Sequence, residues 1–343
     1  MGFDISVIVP SYNRADLIPQ TIHSILNQSH PPAEVIVVDD GSTDHTETVL
    51  QQFGSAIKYL RINNGGQARA RNIGVEASTS EWIAFCDSDD LWQPNKLSDQ
   101  VRLLAKAPDV EYSFTNFRIV QNGQWSQETK FDFLPVGYWD LPKRDVECGL
   151  FVVDAPLFQR LLTYQPIFPS TIMMKRAFFE TVGRWEDSLG RTVGEDFEFT
   201  LRCACRSPVG VVAAPVVGIR KHTTNFSGDA LRIMMGDIEI LRYVLKNHSW
   251  AQSFADIIEE QIRRRSAGAA EGLFEIGDFK TMQRLLQYVP FSQRSWKLHA
   301  KTLIASCPAG LGSFLQKSVL VFSNRVRNRF QRQPDTINRE TGW

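Results

Sequence analysis

Continuous apolar runs alternate with helically spaced apolar positions along the first hundred residues. Ile5 to Val9 is a β-branched run stopped by Pro10, and between Ala15 and Asn27 the positions Leu17, Ile18, Ile22, Ile25 and Leu26 recur at helical spacing. The alternation returns as a strand at Val35 to Val38 and a short helix at Thr46 to Phe53. It returns again as a strand at Ile57 to Ile62, a turn at Asn63 to Gly66 and a helix through Arg69, Arg71 and Val75. Trp82 to Cys86 is a fourth apolar run. This rhythm predicts right-handed βαβ crossovers and an α/β fold with a mostly parallel, helix-covered sheet, whose ligands bind at the carboxyl ends of the strands.

Further on, a helix is predicted through Leu97, Val101, Leu104 and Ala105, and Glu111 to Val120 alternates as a strand that Asn122-Gly123 turns into a second one at Trp125. Periodicity fails from Phe131 to Gln165, which reads as a loop region rich in aromatics. Strand character returns at Pro169 to Met174, then come helices at Arg176 to Val182 and from Val193, and a β-rich run ending at Ile219. From Leu231 the spacing is helical: Ile233 to Leu245, Phe254 to Arg265, Ala269 to Phe274 and Met282 to Tyr288. The expected division is an α/β domain at 1–228 and a small helical region at 229–343. The last helix carries a stripe of Leu311, Phe314, Leu315, Val319, Phe322, Val326 and Phe330 beside Lys317, Arg325, Arg327, Arg329 and Arg332. Two readings stay open for it: contact with an anionic membrane surface, or packing on its own domain.

Composition narrows the function. Lys plus Arg and Asp plus Glu are both 38, so no overall charge points to nucleic acid. The five cysteines are scattered without C-x-x-C spacing, which indicates neither a disulfide framework nor a structural zinc site. The start, MGFDISVIVP, has no basic segment before its apolar run, and no stretch approaches ~18 continuous apolar residues. A cytoplasmic protein is expected, with the inner face of the membrane as the second reading.

The strand ends share one chemistry: PSYNR, DDGSTD, NNGG leading to ARARN, and DSDD. No glycine fingerprint of a dinucleotide site follows the first strand, and no G-x-x-x-x-G-K-[ST] occurs. An aromatic ring and an Arg at one mouth, carboxylates at two others and basic residues beside a Gly-Gly turn suit a base, a ribose and a diphosphate. Asp87, Asp89 and Asp90 repel one another unless a cation sits among them, and Mg²⁺ or Mn²⁺ is the economical choice. The plainer reading is a helix start, with Asp90 as its cap.

VIVPSYNR, VIVVDDGSTD, NNGGQARARNIGV, AFCDSDDLW and GEDFEFTLR, in that order from Ile5 to about Asn225, resemble the motif series of family 2 glycosyltransferases, which have the GT-A fold. The resemblance implies an inverting, metal-dependent hexosyltransferase acting in polysaccharide or glycoconjugate biosynthesis. The donor would be a nucleotide-diphosphate sugar, most simply a UDP-sugar, and the acceptor a saccharide or lipid-linked hydroxyl. It implies Pro10, Tyr12 and Arg14 around the nucleobase, Asp39 on the pyrimidine edge, Gly66 and Arg71 near the diphosphate, and Asp87 with Ser88 on the donor. Asp89 and His222 would hold Mn²⁺ or Mg²⁺, and Asp196 would be the base. VGRWED at Val182 to Asp187 departs from the family's GGFDE-like segment. Phe131 to Gln165 would face the acceptor. Two alternatives remain: a sugar nucleotidylyltransferase, whose glycine-rich start is missing here, and a sugar-nucleotide-binding protein without turnover.

Overall fold

The computed structural model describes residues 2–189, 193–222, 230–308 and 310–319. The chain forms two compact units, Met1–Asn225 and Phe226–Trp343; the expected division after residue 228 lies outside the described residues. In the first unit the order is β1 (Ile5–Ser11), α1 (Ile18–Leu26), β2 (Glu34–Asp39), α2 (Thr46–Gln51), β3 (Lys58–Arg61), α3 (Gln67–Glu76), β4 (Trp82–Phe85), β5 (Leu91–Trp92), α4 (Lys96–Lys106), β6 (Tyr112–Gln121) and β7 (Gln124–Thr129). Then follow β8 (Lys143–Glu147), β9 (Leu150–Val153), α5 (Phe158–Thr163), β10 (Met173–Lys175), α6 (Arg176–Val182), α7 (Glu195–Ala204) and β11 (Val209–Lys221).

The strands lie in the order β3-β2-β1-β4-β10-β6-β11-β9-β8, with β5 on β11 and β7 on β6. The predicted parallel sheet is β3-β2-β1-β4. Antiparallel β10 bridges β4 to β6 and carries it into a mixed half, where β6 runs parallel to β11 and the remaining pairings are antiparallel. Every residue of β1 is buried, as a strand reads when both faces are covered. A Cβ on Gly74 of α3 would stand 2.3 Å from Ile8 Cγ2, so glycine there lets α3 settle close onto β1.

Sequence patterning missed β8, β9 and α5. β8 is an edge strand reading KRDVE, whose outward charges carry no apolar alternation. The aromatics of this sector are ordered rather than loose: Phe131 meets Phe114 and Trp139 edge-on at 6.3 and 5.4 Å, and Trp139 meets Phe151 at 5.2 Å.

The second unit holds α8 (Ala230–Asn247), α9 (Ala255–Ile276), α10 (Phe279–Leu286) and α11 (Trp296–Ala305), and residues 310–319 are also helical. α9 is one helix where apolar spacing predicted two. Its Ser266, Ala269 and Ala270 are small and buried, so close packing replaces the missing large apolar positions. The turn after it ends in Gly277 at φ +81°. The tail stripe is described only to Val319; Phe322, Val326, Phe330 and the four arginines lie outside the described residues. No helix among the described residues is long and apolar enough to cross a membrane.

Candidate active site

At the ends of β1 and β2 the two predicted motifs hold each other. The backbone N–H groups of Asn13 and Arg14 donate to Ser42 Oγ and Thr46 Oγ1, both at 2.9 Å, and Asn13 Oδ1 accepts from the Thr43 N–H at 2.8 Å. Pro10 is buried opposite Val38, and Tyr12 beyond it is exposed. Asp39 is fully buried, with Oδ1 accepting from the Ser42 N–H and Oδ2 from the Tyr59 hydroxyl, both at 2.8 Å. Burial, then the Asp39 hydrogen bond, raise the Tyr59 phenol so that it stays a donor. Asp40 turns the other way and accepts from the Gly65 and Gly66 N–H groups at 2.7 and 2.8 Å. Gly66 sits at φ +93° immediately before α3, a conformation that favours glycine.

α3, β4 and α7 meet at Arg71, whose side chain is 1% exposed. Nη2 donates to Asp87 Oδ1 at 2.7 Å and Nη1 to Glu195 Oε1 at 3.1 Å, while Gln67 Nε2 also donates to Glu195. The guanidinium lies 4.5 Å from the centre of the Trp185 ring, which stacks on Phe199 at 3.9 Å. Asn72 fixes Trp185 by bonding both its carbonyl and its N–H. Arg71, expected beside a diphosphate, thus stands behind Asp87 as the link between two carboxylates.

Glu195 and Asp196 open α7 and have different surroundings. Glu195 is committed to Arg71 and Gln67. The half-buried Asp196 accepts from the Phe197 N–H at 3.0 Å. Burial, followed by the Glu195 charge, pushes the Asp196 carboxyl up to about 7 against the pull of Arg71.

The DSDD loop is pinned from below. Ser170, fully buried, accepts from the Asp87 N–H at 2.9 Å and donates to Asp90 Oδ2; Asp90 Oδ1 accepts from the Arg220 N–H at 3.1 Å. Arg220 donates from Nε to the Asp89 carbonyl and from its terminal nitrogens to Gln20 Oε1, the Leu17 carbonyl and Thr21 Oγ1. Thr21 in turn donates to the carbonyl of the buried Ser88 at 3.0 Å. Asp90 is therefore not the helix cap expected of it. α4 begins at Lys96, after Asn95, and Asp90 instead ties β11 to the loop. Replacing Ser170 with Ala is expected to cost ~1–3 kcal/mol, because it strips partners from a buried amide and a buried carboxylate; urea unfolding checks this.

This pinning brings three predicted residues together. His222 Nε2 lies 2.9 Å from Asp89 Oδ2, and Arg14 Nε lies 3.6 Å from the same oxygen. Burial opposes ionisation of Asp89, but the His222 hydrogen bond and the Arg14 charge outweigh it and hold its carboxyl below the usual range. Five of the expected site residues thus fall in two clusters, Arg14–Asp89–His222 and Arg71–Asp87, the second joined by Glu195, which was not among them. Sequence reasoning missed Gln67, Ser170, Trp185 and Arg220. Arg220, a cation directly after a buried apolar strand, offered a signal; Ser170 offered none.

Residues 6–162 match the family described as Glycosyl transferase family 2. The putative teichuronic acid biosynthesis glycosyltransferase TuaG of Bacillus subtilis (strain 168) is 41% identical over 120 residues, 34% of this chain and 47% of that protein. The Escherichia coli UDP-Glc:alpha-D-GlcNAc-diphosphoundecaprenol beta-1,3-glucosyltransferase WfgD is 37% identical over 120 residues, with the same two coverages of 34% and 47%. The chain spans less than half the length of these curated relatives. Among solved structures, S. aureus TarS 1-349 in complex with UDP-GlcNAc superposes with a TM-score of 0.60 over 92% of both chains at 18% identity, a likeness of fold.

Proposed function

We propose, from the match of residues 6–162 to Glycosyl transferase family 2, that the protein is an inverting transferase that moves a sugar from a UDP-sugar to an acceptor hydroxyl in the assembly of a cell-surface polysaccharide. The observation that carries the reading is the contrast between Glu195, held by Arg71 and Gln67, and Asp196, whose carboxyl is pushed up to about 7. A carboxylate of that basicity suits proton abstraction near neutral pH. Asp196 takes the proton of the acceptor hydroxyl as its oxygen attacks the anomeric carbon from the face opposite the diphosphate, and a single displacement inverts the configuration.

The names of the relatives support the donor and the setting: WfgD carries UDP-Glc and a diphosphoundecaprenol acceptor in its name, and TuaG teichuronic acid. In this reading Pro10, Tyr12 and Arg14 enclose the base. Asp39, oriented by Ser42 and Tyr59, takes the pyrimidine edge on its remaining lone pairs, and Asp87 and Ser88 meet the ribose. The residues fit a hard cation. Asp89 Oδ2 and His222 Nε2 are an oxygen and a nitrogen donor set side by side, and a cation binding there would take the place of the hydrogen bond that now joins them at 2.9 Å. Mg²⁺ or Mn²⁺ held there would supply Lewis-acid stabilisation of the leaving diphosphate. Asp89 and His222 hold that position, and Arg14 adds a fixed positive charge beside it.

Turnover of UDP-sugars, with the product anomer read by NMR, tests the proposal. Inversion is expected, and a retained configuration excludes the single displacement. Excess chelator is expected to abolish transfer, and Asp89→Asn to weaken Mn²⁺-dependent UDP binding in calorimetry. Full activity in chelator removes the cation from the reaction.

A further inference from the structure

The second unit presents an apolar surface where a solvent-facing helix would be polar. α11 buries Leu298 and Ala305, yet its outward side carries Trp296, 76% exposed, and Leu303, 72% exposed, seven residues apart on one face with Ala300 between them. Phe291, 73% exposed, extends the face sideways: its ring centre lies 4.2 Å from that of His299, one position from Ala300. Three large apolar side chains, each more than 70% exposed, thus form a continuous patch of the kind that marks a docking site. In the next helix Leu311 and Phe314 are also exposed, while Gly312 and Gln316 face inward.

Charge identifies what docks. From Phe279 to Pro334 the sequence contains no Asp or Glu. Among the described residues of that stretch stand Lys280, Arg284, Arg294, Lys297, Lys301 and Lys317. Lys297 is exposed next to Trp296, and the Arg294 guanidinium lies 5.9 Å from the centre of the Phe291 ring. Elsewhere in this unit the surface is of mixed sign; Glu259, Glu260 and Arg263, for example, pair along α9. Lys301 pairs with Glu271 of α9, and a patch of Trp, Phe and Leu on a stretch whose own charges are all positive complements an interface that is apolar inside and negative at its surface.

We propose that the apolar face formed by Trp296 and Leu303 of α11 with Phe291 before it, Lys297 exposed beside it and Arg294 holding the Phe291 turn through the Leu286 and Val289 carbonyls, seats on the anionic surface of a lipid bilayer. The rings and the Leu enter the boundary between headgroups and acyl chains, and the lysines and arginines meet lipid phosphates. The chain lies on the membrane through this face without spanning it. The inference does not rest on the transferase reaction, so a chain that transfers no sugar would still bind.

The test is flotation of the full chain with phosphatidylglycerol-containing vesicles, pure phosphatidylcholine vesicles serving as the neutral arm. Binding is expected to the anionic vesicles and to weaken with salt. Trp296→Ser with Leu303→Ser is expected to lower the partition coefficient by at least about tenfold, and Lys297→Glu to lower it less. Because all three side chains are exposed, UDP binding and unfolding midpoint should match the parent and show that the variants are folded. Equal flotation with neutral vesicles, or unchanged flotation of the double variant, overturns the proposal. So does a dimer that the double variant converts to monomer while flotation persists, which assigns the face to a second copy of the chain.

Discussion

Asp196→Asn is expected to lower turnover by ~10²- to 10⁴-fold, the usual worth of a positioned general base, while UDP affinity changes little. Asn keeps the shape of the side chain and can still accept from the Phe197 N–H, so α7 should begin as before. The pH dependence has a definite sign. A base must be deprotonated to act, so kcat/KM of the parent should rise with pH through about 7, where burial and the Glu195 charge have placed the Asp196 carboxyl. The same shift opposes stability: the fold holds the proton more tightly than the unfolded chain does. Asp196 therefore costs stability as pH climbs from the ordinary carboxylate range near 4 to about 7. At pH 8 the Asn variant should unfold at equal or higher urea than the parent. Near-normal transfer by Asp196→Asn together with loss in Glu195→Gln would move the base by one residue.

Arg71→Met is expected to destabilise the first unit by ~3–5 kcal/mol at neutral pH. Arg71 is the buried cation between Asp87 and Glu195, and its removal leaves the buried Glu195 without its counter-charge. Arg71→Lys should recover little, because one ammonium cannot reproduce two separate guanidinium contacts and the contact over Trp185. Where the variant remains folded, its activity profile should shift to higher pH, since the Arg71 charge pulls the Asp196 carboxyl down and its loss lets that carboxyl rise. Adding Glu195→Gln should restore part of the stability, because the uncompensated charge goes with it. An unfolding free energy within about 1 kcal/mol of the parent, roughly the worth of an exposed ion pair, would show that the Arg71 contacts do not carry the energy assigned to them.

The GT-A fold with a helical C-terminal region was legible because its strands are continuous apolar runs ending at polar turns, as at Val9–Pro10 and Phe85–Asp87. What escaped was structure whose pattern is local and weak. β8 shows only charge, and α9 uses Ser266, Ala269 and Ala270 where a stripe of large residues would announce a helix. In the site, the motifs marked Arg14 for the nucleobase and Asp89 with His222 for a cation, and the structure brings all three together. Motif spacing could not show that Asp90 faces inward to Ser170 and Arg220, because a one-residue turn of the loop decides which carboxylate meets the protein and which the ligand. The resemblance singled out Asp196, but what sets Glu195 apart from it, the hold of Arg71 and Gln67, lies in α3 more than a hundred residues away and left no mark in the spacing.

The hairpin of β8 and β9 hangs from the edge of the sheet through β11, the strand that carries Arg220 and leads to His222, whereas the other predicted site residues sit on β1, β2, α3 and α7 or in the loops beside β1, α3 and β4. The two sets share few positions, so the sector from Phe131 to Gln165 can be rebuilt with little disturbance to Asp39, Arg71 or Asp89. On the proposed reading, exchanging that hairpin for one of another sequence would change the acceptor accepted while the contacts of Asp39, Arg71 and Asp89 stay as they are.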